Sequence, residues 1–238
     1  MNFKEKLKKA SEDAGISMND LQLDQFEEFY HLLIEKNKVM NLTAITDEEE
    51  VIEKHFIDSL TCRRVIDMGS VKSLIDIGTG AGFPGIPLKI IYPEISVVLL
   101  DSLNKRVKFL NEVIDELGLS RVEAVHGRAE DLARKQEYRG RFDLAVSRAV
   151  ANLSTLSEYC IPVVKVNGFF VSYKAGKGLE EIETCDSCMK ALGSKIVQVD
   201  DFQLPGEDSL RVLIKIKKCK GTSKAYPRKA GIPSRNPL

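Results

Sequence analysis

Along the first 67 residues, hydrophobic positions recur at intervals of three and four. Leu21, Phe26, Phe29, Tyr30, Leu33 and Ile34 have the spacing of the apolar stripe of an amphipathic helix. A second helix is predicted from Asp47-Glu48-Glu49-Glu50, whose carboxylates suit the positive end of a helix dipole. Val51, Ile52, His55, Phe56 and Ser59 then keep the helical interval. From Ser73 the period changes. Short β-rich runs at 73–77, 96–100, 122–126, 142–146 and 168–173 alternate with helical stretches at 86–91, 104–117, 129–135 and 153–164. Such alternation predicts βαβ units, a parallel sheet and right-handed crossovers. After a helix at 179–192 come two strands, about 195–202 and 209–217, separated by Leu204-Pro205-Gly206-Glu207-Asp208. That turn is short enough for an antiparallel pair. The expected architecture is an α/β doubly wound, seven-stranded sheet with an N-terminal helical extension. Its parts are a helical lobe (1–67), a sheet domain (68–220) and a Pro- and Gly-punctuated tail (221–238).

The first strand runs into Asp76-Ile-Gly78-Thr-Gly80-Ala-Gly82-Phe83. Glycines alternating at a strand-to-helix turn allow unusual dihedrals and close approach of a ligand. The dinucleotide fingerprint is not met, because Phe83 stands where a third glycine belongs. A glycine-alternating turn preceded by an acidic residue is similar instead to the first motif of S-adenosylmethionine-dependent methyltransferases. That cofactor has no phosphates, so the turn would pack against its methionine moiety. Taken alone, the turn is also compatible with a tight connection that binds nothing.

In an open α/β sheet, ligands sit beyond the carboxyl ends of the strands at the switch point. Asp101 ends the second strand, 21 positions past Gly80, where a carboxylate can accept from ribose hydroxyls or cap the next helix. The third strand leads into His126-Gly127-Arg128-Ala129-Glu130-Asp131, which offers an acid for an adenine amino group. The fourth ends at Ser147-Arg148-Ala149-Val150, where Arg148 faces either the cofactor carboxylate or RNA. Seven strands ending in an antiparallel pair are the methyltransferase variant of the doubly wound sheet. The fourth strand is followed by no Asn-Pro-Pro-Tyr to orient an exocyclic amine and by no cysteine to attack a pyrimidine carbon. A target such as guanine N7, with its in-plane lone pair, needs neither device.

Composition narrows the setting. The 238 residues carry 35 basic and 35 acidic side chains, so the net charge is zero. Their distribution is uneven. Nine basic residues and no acidic one lie from Arg211 to the end, leaving −9 on the residues before them. An acidic body with a basic edge fits a polyanionic partner, and a solvated charged tail is the plain alternative. Five cysteines at irregular spacing predict a reduced, cytoplasmic protein without a disulfide framework, and the absence of a long apolar stretch excludes a membrane span. Cys185 and Cys188 have no second pair at zinc spacing, so no metal is expected.

Several motifs together resemble one family closely: Asn41-Leu42-Thr43, His55-Phe-Ile-Asp58-Ser59-Leu60, Asp76 to Pro87, Leu100 to Arg106, Arg128-Ala-Glu130, Asp143 to Ala149, and Tyr226 to Pro233. The chain resembles, over nearly its whole length, the bacterial 16S rRNA (guanine-N7) methyltransferase G family, also called glucose-inhibited division protein B. The resemblance implies S-adenosylmethionine as cofactor and 16S rRNA, or the small ribosomal subunit, as partner. The target would be a guanine in the decoding-region loop. It implies cofactor contacts at Gly78, Phe83, Ala129, Glu130 and Arg148, and the strand-end reading adds Gly80 and Asp101; it assigns no catalytic side chain. Lys174 and Lys177 flank the expected mouth of the site as candidate phosphate contacts, and Arg228 and Lys229 are candidate RNA contacts in the tail. The rival readings are a methyltransferase acting on a small molecule or protein, and a non-catalytic nucleotide-binding regulator.

Overall fold

The computed structural model describes residues 1–148, 151–176, 178–204 and 209–238. Its strands are β1 (Ser73–Ile77), β2 (Ser96–Asp101), β3 (Val122–His126), β4 (Phe142–Arg148), β5 (Val164–Ala175), β6 (Ser194–Gln203) and β7 (Leu210–Lys218). They form one sheet in the order β3-β2-β1-β4-β5-β7-β6. β1 to β5 pair in parallel, and β7 lies antiparallel to both β5 and β6. The expected seven-stranded arrangement is therefore present. The Pro205–Asp208 part of the turn before β7 lies outside the described residues. β5 begins earlier than the periodicity indicates, because exposed Lys165, Val166 and Asn167 lie within it, and its pairing with β4 shifts register between Phe142 and Leu144.

The N-terminal region is helical: α1 (Phe3–Asp13), α2 (Asp20–Met40), and α3 (Glu48–Val51), which continues through a π turn (Ile52–Ile57) into α4 (Asp58–Leu60). Asn2 and Asn19 each cap a helix through a reciprocal capping box. The buried stripe of α2 runs through Leu23, Phe26, Phe29 and Leu33, and Leu21 is 64% exposed rather than part of it. These side chains join Phe3, Phe56 and Phe83 and one face of the sheet in a single apolar cluster. Rings stack through it: Phe56 lies 5.6 Å from Phe29, and Phe29 lies 5.2 Å from Phe83. The lobe is thus packed on the same core that holds the glycine-rich turn.

Between the strands run α5 (Gly85–Ile91), α6 (Asn104–Glu116), α7 (Ala129–Leu132) and α8 (Leu153–Cys160). The helix expected at 179–192 is two, α9 (Gly178–Glu183) and α10 (Asp186–Leu192), and α11 (Ile232–Arg235) lies in the tail. The second apolar cluster fills the opposite face of the sheet with α8, α10 and the strand residues Ile75, Ala145, Phe170 and Ile214. All five cysteines are free thiols. Among the described residues, no helix is long and apolar enough to cross a membrane.

Candidate active site

Five of the seven expected cofactor residues converge on one cavity. It measures about 800 Å³ and is walled by Gly78, Gly80, Phe83, Asp101 and Arg148 at the carboxyl ends of β1, β2 and β4. The strand order reverses at β1 and β4, so this is the switch point of the sheet. The turn after β1 is pinned by Gly78 and Thr79, whose backbone N–H groups donate to the Leu100 carbonyl at 2.9 and 3.1 Å. Gly80 has a φ of +62°, and nothing lies within 4 Å of the place a Cβ would occupy, so the floor of the cavity is open above its backbone. Gly82 differs: a Cβ there would meet Ile86 Cγ1 at 2.7 Å, and its glycine serves packing of the turn.

Asp101 is 3% exposed and already employed. Its Oδ2 accepts from Gly80 N at 3.0 Å and, more weakly, from Arg106 Nη1 at 3.4 Å, and its Oδ1 accepts from Leu103 N at 2.8 Å. The carboxylate therefore ties the turn to β2 and opens the approach to α6 at the same time. Oδ1 keeps one acceptor position, and Oδ2 gains another when Arg106 withdraws. Asp76 lies beneath the turn, fully buried, with Oδ2 accepting from Thr79 Oγ1 at 2.7 Å and Gly85 N at 2.8 Å and Oδ1 unpartnered among the described residues. Burial pushes its pKa from 3.8 up to about 7, against the hydrogen bonds from Thr79 and Gly85.

Arg148 is held by the N-terminal lobe. Its Nη1 donates to Asp58 Oδ2 at 2.8 Å and to the Lys54 carbonyl at 3.2 Å, and its Cζ stands 5.1 Å from the Phe83 ring centroid. Asp58, 6% exposed, also faces Arg211 Nε at 3.3 Å. His55 stacks on Phe83 with centroids 4.6 Å apart and planes 18° apart. Its Nδ1 meets Arg148 Nη2 at 3.3 Å and its Nε2 meets Thr43 Oγ1 at 2.8 Å. Burial, then the Arg148 charge, lowers the His55 pKa from 6.5 to about 3. Thr43, His55 and Asp58 all line the cavity. The sequence marks them only as family motifs, because helical periodicity reports which face is buried and not what that face touches.

The remaining expectations fare differently. Ala129 and Glu130 are buried at the start of α7, outside the cavity wall, and Glu130 Oε1 accepts from the tail backbone at Gly231 N, 2.9 Å. His126 is exposed and bonded to the Ser102 carbonyl. Lys174 lines the cavity but reaches Glu181 at 2.9 Å and the Ala151 carbonyl at 2.5 Å, which fixes it as an internal contact. Lys177, Ala149 and Val150 lie outside the described residues. Arg228 requires a correction: it is not a free tail cation. Its Nη2 and Nε bond both oxygens of fully buried Glu158 at 2.6 to 3.1 Å, and its own N–H joins at 2.6 Å. The tail clasps α8 through this pair and α7 through the Gly231–Glu130 bond, and Arg139, between α7 and β4, donates to the Thr222, Ser223 and Tyr226 carbonyls. Lys229 is exposed.

A glycine-alternating turn at the switch point, an acid ending β2, and a β6–β7 antiparallel pair define a class I methyltransferase fold. Solved structures agree at the level of fold: the StiE O-MT fragment of residues 942–1257 superposes with a TM-score of 0.56 at 14% identity, covering 84% of this chain and 92% of that one. M. jannaschii TYW2 in complex with AdoMet gives 0.52 at 17% identity, covering 68% and 76%. Sequence comparison goes further. A family described as rRNA small subunit methyltransferase G (GidB) matches residues 22–210. The protein of that name from Lachnoclostridium phytofermentans is 53% identical over 94% of this chain and 93% of its own length, and that from Alkaliphilus metalliredigens is 47% identical over the whole of both. The chain belongs to the rRNA small subunit methyltransferase G family.

Proposed function

We propose that the protein transfers a methyl group from S-adenosylmethionine to N7 of a guanine in the decoding-region loop of 16S rRNA. The observation that carries this reading is the cavity at the switch point: its floor is open above Gly80, and it gathers an acid, an aromatic ring and an arginine at three strand ends. These residues fit the cofactor. Asp101 offers acceptor positions to a ribose, Gly78 and Gly80 admit the methionine chain, Phe83 supplies an apolar wall, and Arg148 a cation for its carboxylate. Ala129 and Glu130, at the start of α7 just past the end of β3, are assigned to the adenine side by the family resemblance.

Bound S-adenosylmethionine supplies an electrophilic methyl group on a positively charged sulfur. Guanine N7 carries a lone pair in the plane of the base at neutral pH, so no residue must remove a proton. The chain's task is to exclude water and hold the base in line, and such orientation contributes up to roughly 7–11 kcal/mol in favourable cases. His55, kept neutral down to a pKa of about 3, is unsuited to proton transfer at physiological pH. The small-subunit rRNA partner rests on family membership, and the cytoplasm is the compartment this reading requires. The division into lobe (1–67), sheet domain (68–220) and tail (221–238) is part of the same proposal, as is Lys229 as an RNA contact.

Purified protein incubated with labelled S-adenosylmethionine and either small ribosomal subunits, naked 16S rRNA, bulk protein or small-molecule acceptors tests the reading. Label confined to the rRNA supports it, and label on protein or small molecules instead overturns it.

A further inference from the structure

The arginine at the end of β4 meets a histidine whose protonation state the geometry determines. A guanidinium has donors only, so the 3.3 Å contact between Arg148 Nη2 and His55 Nδ1 requires a bare Nδ1 lone pair. The ring hydrogen then resides on Nε2, which donates to Thr43 Oγ1 at 2.8 Å. That oxygen also receives the Ile45 backbone N–H at 3.0 Å. With both of its lone pairs occupied, the Thr43 hydroxyl keeps only its hydrogen to offer, and Thr43 lines the cavity. Meanwhile Arg148 has given three of its five N–H groups to Asp58, Lys54 and His55.

We propose that His55 is a positioning residue for the methyl-transfer site. Through Nδ1 it holds Arg148 over Phe83, and through Nε2–H it fixes Thr43 as a donor into the cavity, so that the N-terminal lobe completes the ligand site. The π turn that carries His55 is a type of helix irregularity frequent at functional sites, and it sets the imidazole against Phe83 with planes 18° apart. The polarity of the chain is one-directional: Arg148 donates to His55, His55 donates to Thr43, and Thr43 donates to the ligand. The acceptor at its end has the chemistry of a carboxylate or carbonyl oxygen. This role rests on the functional reading above, since it presumes that the cavity takes S-adenosylmethionine.

Three variants separate the role from packing. His55→Phe keeps a ring on Phe83 and removes both nitrogens. His55→Asn gives up the ring and places an amide oxygen where Nδ1 stands. Thr43→Val, set beside Thr43→Ser, removes only the hydroxyl. Isothermal calorimetry with S-adenosylmethionine should show a loss of about tenfold or more for His55→Phe, which removes both nitrogens, and a smaller loss for His55→Asn, which restores the acceptor for Arg148 but not the donor to Thr43. Thr43→Val should lose about tenfold and Thr43→Ser little. Wild-type affinity in folded His55→Phe, or equal weakening in the Phe and Asn variants, overturns the proposal. Should His55→Phe not fold, wild-type affinity in Thr43→Val overturns it alone. A wild-type protein that does not bind S-adenosylmethionine at all overturns the functional reading itself, a result distinct from any pattern among the variants.

Discussion

The backbone N–H of Gly80 donates to Asp101 Oδ2 at 3.0 Å, joining the glycine-rich turn after β1 to the end of β2 across 21 residues. One carboxylate thus shapes the floor of the cavity and presents acceptors at its wall. Asp101→Ala removes both actions. S-adenosylmethionine affinity should fall by roughly 1.5–3 kcal/mol, the range for hydrogen bonds to a charged group. Calorimetry that finds wild-type affinity in a folded variant removes Asp101 from the cofactor site.

Gly80→Val acts on the same floor by a different route. At φ +62° a branched side chain is strained by roughly 1–2 kcal/mol, and nothing lies within 4 Å of its Cβ, so its methyl groups enter the open floor of the cavity. Thermal melts should show a modest loss of stability together with abolished cofactor binding. Binding that survives would place the ligand elsewhere.

The tail yields a paired test. Arg228→Gln leaves the fully buried Glu158 carboxylate without its cation, a change expected to cost about 3–5 kcal/mol of stability. Lys229→Gln alters only an exposed side chain and should leave the melting temperature unchanged while weakening RNA binding and flattening its salt dependence by about one phosphate contact. If Lys229→Gln binds RNA with the wild-type salt slope, the RNA face lies away from the tail.

Two buried groups oppose each other in pH. Asp76, raised from 3.8 to about 7, holds in the fold a proton that the unfolded chain has released; its contribution is fully present below pH 3.8 and is lost as pH rises towards 7. His55, lowered from 6.5 to about 3, lacks in the fold a proton that the unfolded chain binds; its contribution is present above pH 6.5 and is lost as pH falls towards 3. The windows overlap, and each slope reaches at most about 1.4 kcal/mol per pH unit. Relative to wild type, Asp76→Asn should therefore lose stability on acidification from pH 7 to 4, and His55→Asn should gain it. Denaturant titrations across that range decide, and parallel pH curves for all three proteins would contradict both assignments.

The sheet was legible because its strands are apolar and its helices periodic. β1 and β3 fall on the residues expected, and Asp101 and Arg148 end their strands as the switch-point rule requires. What stayed hidden is contact at long range. Asp58 and Arg148 are 90 residues apart in sequence, and nothing in the local pattern of either announces the other. The tail misled for the same reason: Arg228 reads as a loose cation until Glu158, which helical spacing places on α8, is seen to be fully buried beneath it. Glu130 illustrates the reverse case, a motif residue that lies outside the cavity wall and whose carboxylate accepts from the tail backbone at Gly231.

The central claim is most directly tested in cells. 16S rRNA from a strain lacking the gene, and from the same strain complemented with wild-type protein or with Gly80→Val, is mapped for N7-methylguanine by chemical cleavage and primer extension. The account predicts one cleavage stop in the decoding-region loop, lost in the deletion, restored by wild type and not by Gly80→Val. An rRNA methylation pattern unchanged by the deletion would contradict it.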